Sequence, residues 1–378
     1  MCIFLLAWNK IFSILSLDDK IILMQYIIFD KKYHFRSFFD TEKGTYVRTN
    51  IFDENGKETE EEPFMASFPH TIDVGVMGHC IHGESGLCAK AGIGCYQSGQ
   101  FIKKENMKLE DFESICKQCE KKSTQFALGG RGDPDCHENF EEILKTARKY
   151  NIVPNYTTSG LLMNDKKAEI SKKYCGAVGV SWYRSDYTFK AIDTLLKYGN
   201  KVNIHYVLSK STIDEAIEIL KNDSYPDGVN AFIFLLHKPV GQGNEEDVLK
   251  VNDPRVKEFV ELFQKHHKSK MGLDSCLVPA LLSFGRHLIV DAIDSCESGR
   301  FSCCIEPDMT MLPCSFDQAR KYGVSLSNHT IQEAWESGTF ESFRDILRNS
   351  CHNCKARTLC FGGCPLKRQI VLCTNIGR

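Results

Sequence analysis

Residues 71–99 read TIDVGVMGHCIHGESGLCAKAGIGCYQSG. Ile72, Val74 and Val76 alternate with other residues, which marks a strand. The strand empties into a glycine-rich loop that carries Cys80, Cys88 and Cys95. In a reducing compartment, three thiols in one loop suit a metal cluster better than a disulfide. Three protein ligands leave the fourth corner of a cubane cluster open. An open corner admits chemistry, whereas a closed cluster mostly moves electrons. Three scattered structural cysteines are the alternative, and the rest of the chain decides between them.

Downstream of the loop, strands and amphipathic helices alternate. Helices are expected over 109–122, 140–150, 166–174, 189–198, 213–222 and 255–267. Strands are expected over 125–128, 152–157, 177–182, 201–208 and 229–236. With the opening strand this makes six β-α units. The rhythm predicts parallel strands joined by right-handed crossovers, as a full or partial barrel or a doubly wound sheet. The active site of either lies at the carboxyl ends of the strands, where the three-cysteine loop sits. Other unusual residues share that rim. The second strand runs into Gly129-Gly130-Arg131-Gly132-Asp133-Pro134, where glycines admit a ligand and Asp133 could hold an ammonium group. The third ends in Thr157-Thr158-Ser159-Gly160, and the sixth in the loop His237–Gly243, a further candidate for backbone contacts to a ligand.

The 378 residues suffice for one large domain and a smaller one. Basic and acidic residues nearly balance, 47 against 49, which gives no footprint for a nucleic-acid partner. Eighteen cysteines exceed what packing needs, and eight of them fall between Cys303 and Cys373. A secreted disulfide scaffold would be short and cysteine-dense throughout, so metal sites in a reducing cytoplasm fit better. The apolar N-terminal run is broken by Asn9-Lys10 and Asp18-Asp19-Lys20 and lacks a cleavage site, against an export signal; Met24 is a candidate start. No uncharged stretch is long enough to span a membrane. From Gln25 to about Phe68 the pattern is short strands and turns: an N-terminal β extension, either an edge hairpin or a platform for a partner.

The strand with its three-cysteine loop ending Cys95-Tyr96, the Gly-Gly-x-Gly-Asp-Pro turn and Thr-Thr-Ser-Gly together resemble the core of the radical S-adenosylmethionine superfamily. The resemblance implies a [4Fe–4S] cluster on Cys80, Cys88 and Cys95, whose open iron chelates S-adenosylmethionine. It also implies cofactor contacts from Tyr96, Gly129, Gly130, Asp133 and Ser159. Asp133 stands where the family usually has Glu, and Ser159 where it often has Asn. The spacing departs from the family's Cys-x3-Cys-x2-Cys: seven residues separate Cys80 from Cys88, and six separate Cys88 from Cys95. His79 and His82 are competing ligands in so long a loop.

Near the C-terminus, Cys351-x2-Cys354-x5-Cys360-x3-Cys364, followed by Cys373, is similar to the SPASM extension of radical enzymes that modify peptides and proteins. The resemblance implies two auxiliary [4Fe–4S] clusters. One would use Cys296, Cys303 or Cys304, Cys314 and Cys364; the other Cys351, Cys354, Cys360 and Cys373. A zinc ribbon is the alternative for residues 351–364. Cys116 and Cys119 share a helix face and could bind metal, with a surface or half-buried pair the plainer reading. Cys276 and Asp274 are candidates for a ligand or hydrogen donor and for a base, with core packing the plainer reading.

The expected architecture is therefore α/β: an N-terminal extension (1–66), a partial (β/α)6 TIM-like barrel (67–270) and a cysteine-rich iron–sulfur domain (271–378). The resemblance implies cleavage of S-adenosylmethionine to a 5′-deoxyadenosyl radical that abstracts hydrogen from a peptide. The peptide would be a ribosomal precursor matured by crosslink, thioether or epimerisation, with ferredoxin or flavodoxin as the electron donor. A sulfatase-type maturase oxidising a Cys or Ser of a protein is the runner-up. A non-catalytic zinc or iron–sulfur binding protein is the reading outside enzymology.

Overall fold

The computed structural model describes residues 26–42, 44–98, 101–266 and 270–374. The candidate start at Met24 and Cys2 lie outside these. Strands β1 (Tyr26–Asp30), β2 (Phe35–Asp40) and β3 (Thr45–Arg48) form a three-stranded antiparallel sheet, the expected N-terminal extension.

The large sheet begins with β4 (Thr71–Met77), whose Ile72, Val74 and Val76 are fully buried. Next come β5 (Gln125–Gly130), β6 (Val153–Thr158), β7 (Val178–Ser181), β8 (Val202–Leu208), β9 (Ala231–Leu236) and β10 (Met271–Leu273). All seven are parallel and lie in sequence order, each paired with the next. A sheet that never reverses its order keeps its crossover helices on one face and curves away from them, which is a partial barrel. The crossover helices are α2 (Leu109–Cys119), α3 (Phe140–Lys149), α4 (Asp165–Tyr174), α5 (Asp186–Lys197), α6 (Ile213–Asn222) and α7 (Pro254–Lys265); the short α1 (Leu87–Lys90) lies inside the cysteine loop. The six expected β-α units are present. Boundaries shift by a few residues; α5 starts three earlier than expected because Ser185 caps it, accepting from the Thr188 N–H.

Side chains alternate across each strand. On β4, Ile72, Val74 and Val76 join the helix-covered core. The opposite face lines a cavity to which Gln125, Asn155, Thr157, Asn203 and His205 contribute; Phe39, Thr41 and Gly44 of the β2–β3 hairpin meet it beside Thr71, Val153 and Lys201. The N-terminal extension thus closes the amino-terminal end of the barrel.

The sheet continues past β4. β11 (Ser302–Ile305) pairs parallel with it, and β12 (Thr310–Leu312) and β13 (Val324–Ser325) follow antiparallel. Helices α8 (Val278–Phe284), α9 (Ile331–Trp335), α10 (Gly338–Arg348) and α11 (Arg357–Cys360) complete the C-terminal region. Thr330 and Glu333 form a reciprocal cap that starts α9. It seats Trp335 with no exposed surface, donating to the Ala66 carbonyl at 2.9 Å. Truncating such a residue costs about 3–5 kcal/mol. Arg48 on β3 pairs with Asp294 and Glu297, a second tie between the two ends of the chain. Among the described residues, no helix is long and apolar enough to cross a membrane.

Candidate iron–sulfur and nucleotide site

The loop after β4 folds back by way of a 3-10 turn (Gly83–Ser85), the left-handed Gly86 and α1, which carries Cys88. This return brings the three expected thiols together. Cys88 hydrogen-bonds Cys95, and that contact, followed by burial, pushes the Cys88 thiol above its usual range. Cys80 lies within electrostatic reach of both. Burial raises its thiol as well, opposed by hydrogen bonds from the backbone of His82 and Gly83, which favour a thiolate. None of the 17 described cysteines is in a disulfide. The competing histidines do not join the thiols: His79 Nδ1 lies 3.2 Å from the Lys104 carbonyl, and His82 Nε2 lies 3.3 Å from Asp133 Oδ2.

The glycine-rich turn after β5 presses on this loop. Gly132 (φ +138) lies so close that a Cβ there would stand 2.9 Å from the His79 carbonyl oxygen and 3.2 Å from the Cys80 Cα. Only glycine combines that backbone angle with that approach. Asp133 is held at the rim, accepting from Ser159 at 2.5 Å and from Thr158 at 3.3 Å. A Cβ on Gly129, by contrast, would meet nothing within 4 Å. Arg131 is buried against Glu306 at 3.2 Å, with its Nε and Nη1 unpartnered. An open cradle, orphaned donors and a fixed carboxylate beside three thiols fit a zwitterionic nucleotide on a cluster.

The loop after β9, expected to contact a ligand, packs on the cysteine loop. The Gln242 N–H donates to the Cys95 carbonyl at 3.0 Å. Gly94 and Gly241 lie against this joint, each where a Cβ would strike the other loop's backbone. Tyr96 packs its ring on Phe316, centroids 4.7 Å apart, tying the loop to the C-terminal region.

There, four thiols interact mutually: Cys276, Cys296, Cys314 and Cys364. Cys276 hydrogen-bonds Cys364, and Cys296 and Cys314 lie within electrostatic reach of both and of each other. Burial pushes Cys314 up to about 12. The set expected from sequence placed Cys303 or Cys304 where Cys276 stands in this group. Both lie on β11, so their side chains leave by opposite faces. Cys303 sits in the core beside Cys119; Cys304 faces Asp73 and Glu306, with Cys314 among its weakest neighbours. Asp274 is anchored: its Oδ2 accepts from Lys238 at 2.8 Å and from the Leu236 N–H at 3.2 Å, leaving Oδ1 unpartnered.

The rear group is looser. Cys360 lies within reach of Cys351 and Cys373, and the Cys354 N–H donates to the Cys351 carbonyl at 2.9 Å. Phe361, Gly362 and Gly363 are all left-handed, which turns the Gly362 and Gly363 N–H groups onto Cys360. Burial nevertheless raises that thiol to about 11. Among the described residues, no three His, Cys, Asp or Glu side chains converge tightly enough to hold a single metal ion.

Sequence reasoning missed Tyr183, whose hydroxyl lies 3.2 Å from Cys88 Sγ. It also passed over Phe316 and Glu215; neither belongs to a motif, and each acts through a partner far away in the chain.

No family model matches the chain. Among solved structures, Streptococcus suis SuiB bound to S-adenosylmethionine is similar at 17% identity and a TM-score of 0.60, over 79% of this chain and 74% of that one. SuiB bound to its precursor peptide SuiA matches at 17% identity and 0.60, over 82% and 77%. Native anSMEcpe with bound AdoMet matches at 20% identity and 0.58, over 81% and 92%. At these identities the likeness is one of fold. The resemblance to radical S-adenosylmethionine maturases with a SPASM extension, read from the motifs, is met at that level.

Proposed function

We propose that the protein is a radical S-adenosylmethionine enzyme that takes a hydrogen atom from a peptide, maturing a ribosomal precursor by crosslink, thioether or epimerisation. The observation that carries this reading is the convergence of Cys80, Cys88 and Cys95 beside a fixed carboxylate and an open glycine face. Reduced by a one-electron donor such as ferredoxin or flavodoxin, the [4Fe–4S] cluster and its S-adenosylmethionine would supply the power to strip hydrogen from an unactivated carbon. The chain's own residues do the rest. Asp133 holds the amino group of the nucleotide, Gly129 leaves room for it, Gly130 lets the turn close against the Met77 backbone, and Tyr96 with Phe316 walls the mouth. A peptide substrate is supported by the shared fold with SuiB, which is solved with a precursor peptide.

Two auxiliary clusters fit the remaining thiols, one on Cys276, Cys296, Cys314 and Cys364 and one on Cys351, Cys354, Cys360 and Cys373. Four protein ligands each would close them, as suits electron relays. The test is anaerobic reconstitution followed by reduction in the presence of S-adenosylmethionine. Brown protein that releases 5′-deoxyadenosine, and stops doing so in Cys80→Ala, Cys88→Ala or Cys95→Ala, is expected. Colourless protein carrying zinc would overturn the reading.

A further inference from the structure

We propose that Tyr183 sets the reduction potential of the cluster on Cys80, Cys88 and Cys95 by donating its phenolic hydrogen to the Cys88 sulfur. This rests on the cluster assignment above and adds a residue that no motif contains. The distance between the Tyr183 hydroxyl and Cys88 Sγ is 3.2 Å. A phenol keeps its proton at neutral pH, so towards a ligated thiolate, which has none, it can only donate.

The contact is built rather than incidental. Tyr183 follows β7 at the carboxyl rim, and its two neighbours are fixed by one carboxylate. Trp182 Nε1 donates to Glu215 at 3.1 Å, and Arg184 Nε donates to both Glu215 oxygens at 2.7 Å. Glu215 is held in turn by the Tyr206 hydroxyl at 2.9 Å. Arg184 adopts a left-handed backbone (φ +57), an arrangement that costs about 1–2 kcal/mol without compensating contacts. With both flanking side chains anchored on α6, Tyr183 is left facing Cys88.

Hydrogen bonds to cluster sulfurs are a principal control of iron–sulfur potentials. Reduction adds negative charge that spreads onto the thiolates, so a donor at sulfur stabilises the reduced state more than the oxidised one. Tyr183 would therefore ease the first electron into the cluster. As a positioning residue it acts through Cys88 and need not touch substrate.

The test is Tyr183→Phe in the fully reconstituted enzyme, titrated anaerobically by electron paramagnetic resonance. The signal followed is the one that changes when S-adenosylmethionine is added, which separates this cluster from the auxiliary ones. Iron content should match wild type, and the midpoint should move to more negative potential, lowering the reduced fraction at a fixed potential. Glu215→Gln should move it the same way by less. An unmoved midpoint with full iron would overturn the proposal alone, as would loss of iron, since Tyr183 would then be holding the cluster rather than tuning it. A wild-type protein with no S-adenosylmethionine-responsive signal would overturn both this proposal and the site assignment.

Discussion

The Gln242 backbone N–H donates to the Cys95 carbonyl oxygen at 3.0 Å, so the loop after β9 clasps the third thiol of a site that begins at the end of β4. The two loops are about 150 residues apart in the chain, and the barrel brings them together at one rim.

This clasp predicts an asymmetry between two glycines. Gly241→Ala would place a methyl group against the Tyr96 carbonyl and 2.7 Å from the Cys95 carbonyl, at a positive φ. Gly86 shares the positive φ, but nothing lies within 4 Å of where its Cβ would be. Gly86→Ala should cost about 1–2 kcal/mol of backbone strain and keep its iron. Gly241→Ala should lose much of the iron bound at the three-thiol site, as read by iron analysis and the S-adenosylmethionine-responsive signal.

The front auxiliary group predicts which cysteines matter. Cys276→Ala should lower iron by about one cluster's worth, whereas Cys303→Ala should leave it unchanged. Iron and sulfide analysis after reconstitution makes the comparison, and the reverse result would restore the set expected from sequence.

The division between legible and illegible follows from how each signal is carried. The six β-α units were plain because apolar periodicity is local, and the cysteine loop declared itself within a few dozen residues. Cys303 and Cys304 are ambiguous in sequence because a cysteine in a strand can serve as a small apolar residue as readily as a ligand. Their alternation across β11, and β11's place beside β4, depend on pairing across some 230 residues. Met271–Leu273 is too short to announce itself as the seventh parallel strand. Tyr183 was invisible for the same reason: what aims it is Glu215, on another helix.

Two buried histidines predict how stability depends on pH. Burial lowers His70 and His205 to about 4 each, with Arg48 also opposing the charge on His70. Each takes up its proton more readily unfolded, near 6.5, than folded. Their contribution to stability is therefore full above about pH 6.5 and is lost as pH falls towards 4, by about 3 kcal/mol each. Chemical denaturation of the protein between pH 7.5 and 4.5 should show the decline, and His205→Gln should flatten it.

Raised thiols predict that cluster assembly releases protons. Cys314 and Cys360, near 12 and 11, are neutral at pH 7 and must ionise to bind iron. Reconstitution at pH 8.5 should therefore load more iron than at pH 6.5, and equal loading at both would count against these thiols as ligands.

The most direct test of the central claim is electron paramagnetic resonance of anaerobically reconstituted, reduced protein before and after addition of S-adenosylmethionine. If Cys80, Cys88 and Cys95 hold a cluster with one open iron, a reduced [4Fe–4S] signal will shift on addition and will be missing from Cys88→Ala. A spectrum that ignores the nucleotide, or that persists unchanged without Cys88, would contradict the account.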